Sequence, residues 1–107
     1  MNYLAHFSFE EHQNNNTGYF TMIVAATTAE EAVDKFEKEI KRLHKEKDVF
    51  PGVEEIFIDD IIEFHETPAN AVLTRYETRD RETSARLFAN LITDSPDITS
   101  YDWCPFV

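Results

Sequence analysis

The stretch that decides the fold runs from residue 19 to residue 64 and reads YFTMIVAATTAEEAVDKFEKEIKRLHKEKDVFPGVEEIFIDDIIEF. Thr28-Ala29-Glu30-Glu31 is a capping box, in which the Thr28 hydroxyl accepts from the Glu31 amide and Glu31 reaches back to the Thr28 amide. The apolar side chains that follow recur every three or four positions and form one stripe: Ala29, Ala32, Val33, Phe36, Ile40 and Leu43. We therefore predict a helix over residues 29–47.

Two strand-like segments flank this helix. Residues 19–26 are nearly all apolar, which is typical of a central strand buried on both faces. Residues 56–64 are rich in β-branched and aromatic side chains and lie between Pro51-Gly52 and Thr67-Pro68. Two strands joined by a helix usually lie parallel with a right-handed crossover, so the stretch predicts a strand–helix–strand unit.

The rest of the chain supplies further candidate elements. Residues 2–9 predict a first strand, and the polar residues 10–18 predict a mobile loop that closes a hairpin. Residues 71–78 predict a strand antiparallel to 56–64. A second helix would begin at Asp80 or Thr83, with Ala85, Phe88, Leu91 and Ile92 on one face. The last candidate element is a short edge strand over residues 99–107, within the aromatic tail of residues 95–107.

The predicted order is ββαββα(β) in a single α+β domain over residues 1–107. From residue 19 onward this is the ferredoxin-like order, a sandwich with an antiparallel or mixed sheet of four to five strands and two helices on one face. A cystatin-like sheet, or another four-stranded sheet with helices on one face, is the alternative. Such architectures host many unrelated activities, so the fold class implies no function.

Composition narrows the class of function. The chain has 107 residues, a formal net charge of −11 and one cysteine, Cys104, which excludes an internal disulfide. The N-terminus carries neither a basic segment nor a long apolar run, so a cytoplasmic protein without a membrane segment is expected. Nucleic acid and anionic membranes both require cationic surface, so neither is an expected direct partner. The negative charge is typical of a surface that keeps a protein soluble, and the alternative is a surface that binds a basic protein partner.

Cofactor and metal chemistry have little support. The chain holds only Gly18 and Gly52, whereas phosphate-cradling loops need several closely spaced glycines. Neither a bound cofactor nor a metal is therefore expected. Asp59, Glu63 and His65 alternate along one strand, a pattern that fits a solvated strand face better than a divalent-metal site.

One charged side chain interrupts the apolar pattern. In a regular strand Asp60 shares its face with Ile56, Ile58, Ile62 and Phe64, whereas Asp59 faces the other way unless a bulge intervenes. A hairpin that pairs His65 with Asn70 places Asp60 opposite Arg75. We predict a partly buried ion pair between these two residues, and with Tyr76 they form the candidate ligand or polar-core site.

The aromatic tail is a candidate interface. Tyr101, Trp103 and Phe106 either close the core or contact a partner, since aromatic residues are enriched at contact hot spots.

The sequence leaves two hypotheses for the function of the chain. The first is a non-enzymatic protein-binding or regulatory module that forms a homodimer through a sheet edge or this tail, with a nucleic-acid mimic as a subclass. The second is a small ligand-binding domain or enzyme with a pocket around Asp60 and Arg75.

Overall fold

A computed structural model describes residues 1–11, 15–78 and 97–99. Its elements are β1 (Asn2–Glu11), β2 (Asn16–Ala25), α1 (Ala29–Glu46) and β3 (Val53–Phe64). The chain divides into two compact units, Met1–Val72 and Leu73–Val107. The first unit holds all four elements, and residues 73–78 of the second have no regular secondary structure.

The first strand, β1, is the centre of the sheet. The strand order is β2-β1-β3, and β1 pairs antiparallel with both neighbours. The prediction that residues 19–26 form a central strand is wrong, because β2 lies at one edge of the described sheet and its residues alternate between exposed and half-buried. The continuous apolar run of β2 therefore does not indicate burial on both faces, because one face of this strand is exposed. The side chains of β1 are buried from Tyr3 to Phe7 except at Leu4, which is half-buried.

The ferredoxin-like prediction is also wrong. The described residues form a three-stranded antiparallel sheet with one helix, in the order β-β-α-β. Residues 71–78 form no strand. If the side chains of residues 71–78 alternated between two faces as in a strand, neither face would be wholly apolar. Val72, Leu73 and Tyr76 are 62%, 76% and 80% exposed. The predicted second helix lies outside the described residues, as does the predicted closing strand except for Thr99.

The helix prediction is confirmed to within one residue at its end. Thr28 caps α1, and its Oγ1 accepts from the Glu31 amide at 3.1 Å. The second half of the predicted capping box differs, because the Glu31 carboxylate accepts from the amide and hydroxyl of Thr27 and not from the Thr28 amide. At the other end, the amides of Lys47 and Val49 both donate to the Leu43 carbonyl.

The first hairpin is tighter than predicted. Ladder pairing continues to Glu10–Thr17 and Glu11–Asn16, so most of the predicted loop 10–18 belongs to strands. Gly18 lies opposite Phe9, and a Cβ on Gly18 would clash with the Phe9 ring. The glycine therefore makes room for an aromatic ring that lies across the strand pair.

The core lies between one face of the sheet and α1. Tyr3, Ala5 and Phe7 of β1 pack with Ala32 and Phe36 of α1, all buried. The Phe7 ring stacks on Phe20 of β2 at 4.8 Å between centroids and meets Phe36 edge-on at 5.6 Å. In the part of the chain that the structure describes, no helix has both the length and the apolar character needed to cross a lipid bilayer.

Candidate functional site

A β-bulge in β3 decides which acidic side chains share a face. His6 pairs with Asp60 and the next residue, Phe7, pairs with Ile58, so Asp59 is the extra residue. Side chains change faces at such a point. Ile56 and Ile58 lie opposite Phe9 and Phe7 on the core face, whereas Asp60 lies opposite His6 on the outer face. The prediction that Asp60 shares its face with Ile56 and Ile58 is therefore wrong.

The outer face carries two side-chain pairs across the bulge. His6 Nδ1 lies 2.6 Å from Asp60 Oδ1, and the His6 side chain is only 6% exposed, against 46% for Asp60. Ser8 Oγ donates to Asp59 Oδ1 at 2.9 Å. Both adjacent aspartates thus contact β1 from the same side of the sheet. Sequence analysis missed His6, because only the β1–β3 register places it beside Asp60.

These aspartates belong to a larger acidic patch, which we define as Glu10, Glu55, Phe57, Asp59 and Asp60. Glu10 pairs with Glu55 across β1 and β3, and Ser8 pairs with Phe57 in the next outer-face row. Like charges directly opposite on a sheet are destabilising. Phe57 is 47% exposed, so an aromatic ring stands in the row between Glu55 and the aspartates. All four acids of the patch are exposed as well.

Glu63, on the core face, has a different role. Tyr3 donates its hydroxyl to Glu63 Oε1 at 3.1 Å. Burial raises the pKa of Tyr3, and the hydrogen bond to Glu63 and the charges of Glu63 and Glu31 raise it further. The bulge thus separates Glu63 from Asp59, which the regular-strand prediction had placed on one face. Among the described residues, no three histidine, cysteine or acidic side chains are grouped so that they could hold a metal ion.

The remaining predicted site residues lie in the second unit. Arg75 Nη2 donates to Glu77 Oε2 at 3.1 Å, and Tyr76 is 80% exposed. The predicted Asp60–Arg75 pair joins residues of different units and stays a prediction. The predicted interface residues Tyr101, Trp103 and Phe106 fall outside the described residues.

A cavity of ≈ 440 Å³ lies between α1 and β3, on the opposite side of the sheet from the acidic patch. Phe7, Phe36 and Phe50 contribute aromatic walls, and Val33 and Ile58 are 39% and 44% exposed. Glu37, Lys41, His44 and Glu54 are its polar lining residues. Lys41 donates to Glu37 at 2.8 Å, which lowers the pKa of Glu37. Asp60 is not among the described residues that line this cavity.

Comparisons with known proteins add no family. No protein-family model, no curated protein and no solved structure matches the chain.

Proposed function

We propose that the chain is a non-enzymatic protein-binding module of the cytosol, that it recognises a basic segment of a partner protein, and that it forms a homodimer. The acidic patch carries this proposal. Four carboxylates share one sheet face with a half-exposed aromatic ring. A lysine or arginine side chain can meet carboxylates and the face of such a ring together, which combines ion pairing with a cation–π contact.

The arrangement of charge supports a binding role. No lysine or arginine occurs between Asp48 and Thr74, so β3 offers no internal cation to its five acids. Glu10 and Glu55 lie directly opposite each other, and their like charges repel. A partner cation placed between the two would turn this repulsion into attraction. Complementary charge of this kind speeds association and selects partners more than it adds affinity.

The test is affinity capture from the native host, followed by binding of the recovered protein to three purified chains: wild type, Glu55→Lys and Asp34→Lys. We expect a protein with a basic surface to be retained at low salt and released at high salt. Glu55→Lys should weaken its binding at least about tenfold. The same substitution at Asp34, an exposed residue of α1, provides the matched control and should change binding little.

The Glu55→Lys variant is informative because its fold should not suffer. The substitution replaces the Glu10–Glu55 repulsion by an attractive cross-strand pair, worth about 0.2–1 kcal/mol. Lost binding in a chain that is at least as stable as wild type therefore reports on the patch itself. Equal binding by Glu55→Lys and wild type would contradict the proposal, as would recovery of only salt-insensitive partners.

The cavity favours a second candidate function, the binding of a small apolar ligand. Its volume lies within the range of about 300–1,000 Å³ that ligand sites occupy. The two candidates use opposite faces of the sheet, so variants separate them. Ile58→Trp would fill the cavity and abolish uptake of an apolar fluorescent dye, and it should leave partner binding at the acidic patch unchanged.

A further inference from the structure

The two edges of the described sheet differ sharply in charge. β3 carries five acids, no base and two irregularities in its pairing with β1. β2 is ten residues long, NTGYFTMIVA, with no charged residue, no proline and an unbroken register against β1. Proteins commonly protect sheet edges with charges, prolines and bulges, because an unprotected edge pairs with other strands. β3 carries charges and bulges of this kind, whereas the ten residues of β2 include no charge, no proline and no bulge.

The backbone groups of β2 that face its outer edge can be assigned. The Ala26 amide donates to the Met1 carbonyl, so the Met1–Ala26 pair is of the hydrogen-bonded type. Backbone groups point alternately to the two edges of a strand. The amides and carbonyls of Thr17, Tyr19, Thr21, Ile23 and Ala25 therefore point away from β1. Lys35 Nζ donates to the Ala25 carbonyl at 2.9 Å, so this acceptor at the end of the β2 edge already has a hydrogen bond.

We propose that β2 pairs antiparallel with β2 of a second copy of this chain, around a two-fold axis at Thr21. The inference rests on the homodimer of the proposed function and names its surface. In this register Thr21 faces its own copy, and Tyr19 faces Ile23 of the other chain. These two side chains lie on the outer face and are 41% and 57% exposed. The pairing therefore covers apolar surface as it forms backbone hydrogen bonds.

Charge decides which edge of the described sheet two copies can share. Each chain has a net charge of −11, so two copies repel each other over most of their surfaces. Pairing of β3 with β3 would bring five acids of each strand together, whereas β2 with β2 opposes no charges at all. The uncharged edge is the part of the described sheet at which two copies meet without opposed like charges.

The two-fold axis would stand perpendicular to the sheet, because facing residues of an antiparallel pair share a face. The product is a six-stranded sheet of order β3-β1-β2-β2-β1-β3 with both acidic patches on the same side. The two β3 strands would lie about 24 Å apart, or five strand spacings. One dimer could then hold two basic segments of a single partner, and such bivalent binding raises affinity without a new contact.

The test is sedimentation equilibrium of the full chain at low and high salt. We expect a dimer whose dissociation constant falls as salt rises, because screening weakens the repulsion between copies. Ile23→Lys should raise that dissociation constant at least about tenfold, since lysine is a common protector of sheet edges. Val72→Lys places the same charge on another exposed apolar residue and should leave it unchanged. Circular dichroism verifies that each variant is folded.

A cross-link tests the register without disturbing the edge. In the Cys104→Ser background, Thr21→Cys should form a disulfide-linked dimer, since hydrogen-bonded pairs place Cα atoms about 5.5 Å apart, within disulfide range. Thr17→Cys should not form such a disulfide, because in this register residue 17 faces Ala25 of the other chain and the two introduced cysteines lie far apart. A monomer at every concentration and salt overturns the inference, and so does a dimer that Ile23→Lys leaves intact. The basic-partner test does not depend on dimerisation, so the two proposals can fail separately.

Discussion

At the scale of single residues, the most informative contact is the one between His6 and Asp60. His6 is almost fully buried on a face where its neighbours are half-buried or exposed, and its Nδ1 meets a carboxylate oxygen at 2.6 Å. Buried polar groups are stabilised by their hydrogen-bond partners and destabilise a fold when that partner is removed. The pair therefore anchors β3 to β1 at the point where the bulge interrupts the ladder.

A double-mutant cycle of Asp60→Asn and His6→Phe should show a coupling free energy of about 1 kcal/mol. The Asp60 side chain is 46% exposed, so water partly replaces His6 as its hydrogen-bond partner in the His6→Phe variant. The coupling free energy between the two residues is therefore small. Urea unfolding of the four chains measures it. A second cycle, in which Arg75→Ala replaces His6→Phe, tests the Asp60–Arg75 ion pair predicted from sequence. Additive losses in the His6 cycle would show that the 2.6 Å contact contributes nothing to stability.

Tyr3 predicts how stability responds to high pH. Its pKa is raised above the ordinary value of 10.0, so its neutral form is favoured in the folded state. Below about pH 10 the tyrosine is neutral in both states and its stabilising effect is complete. As pH rises from there through the raised pKa, the unfolded state ionises first, and this effect is lost.

Tyr3→Phe should accordingly make the loss of stability above about pH 9.5 less steep. Urea midpoints measured at intervals across this range give the slope, which is compared with that of wild type. Tyr76→Phe, at a tyrosine that is 80% exposed, is the matched control and should leave the slope unchanged. Identical slopes for Tyr3→Phe and wild type would contradict the prediction.

At the scale of the elements, the bulge at Asp59 determines the two faces of β3. Deleting Asp59 would join Ile58 directly to Asp60, and the pairs Phe7–Ile58 and His6–Asp60 would become consecutive steps of a regular ladder. Each of the remaining side chains keeps its face. We therefore expect this deletion to leave the fold intact, with a loss of roughly 1 kcal/mol or less from the missing Ser8–Asp59 hydrogen bond.

The matched control deletes Ile61 from the same strand. Regular pairing then requires Asp60 to take the place of Ile61 opposite Ala5, on the core face. A carboxylate placed there without a partner is strongly unfavourable. We expect this variant to be far less stable than the Asp59 deletion, by urea unfolding and circular dichroism. Equal stability of the two deletions would show that the bulge does not set the faces.

The elements also show what local sequence can reveal. The helix at 29–46 was predictable because its cap and its apolar stripe lie within a few residues of one another. The hairpin was predictable from the polar segment between two strands. The central position of β1 and the bulge at Asp59 were not, because both depend on pairs such as Asn2–Phe64 that are distant in the chain. The acidic patch depends on the same pairs, so sequence analysis found Asp60 but neither its face nor its partner His6.

At the scale of the whole molecule, charge is sorted by element. Six of the ten basic residues lie on or just beyond α1 at positions 35–47, β2 has no charge, and β3 carries five acids. The two proposed interactions should therefore respond to salt in opposite directions. Binding of a basic partner weakens as salt rises, whereas pairing of two chains of net charge −11 becomes stronger. One titration with salt, read for both interactions, distinguishes them.

The central position of β1 has a consequence for the order of folding. The strand that completes the sheet, β3, pairs with a strand at the opposite end of the described unit, so the ladder must close a long loop that contains β2 and α1. Such closure is slow compared with the formation of a hairpin or helix. During synthesis the β1–β2 hairpin emerges before β3, while both of its edges are still unpaired by β3. The nascent chain therefore passes through an interval in which its future central strand is an open edge, accessible to chaperones and to other nascent chains.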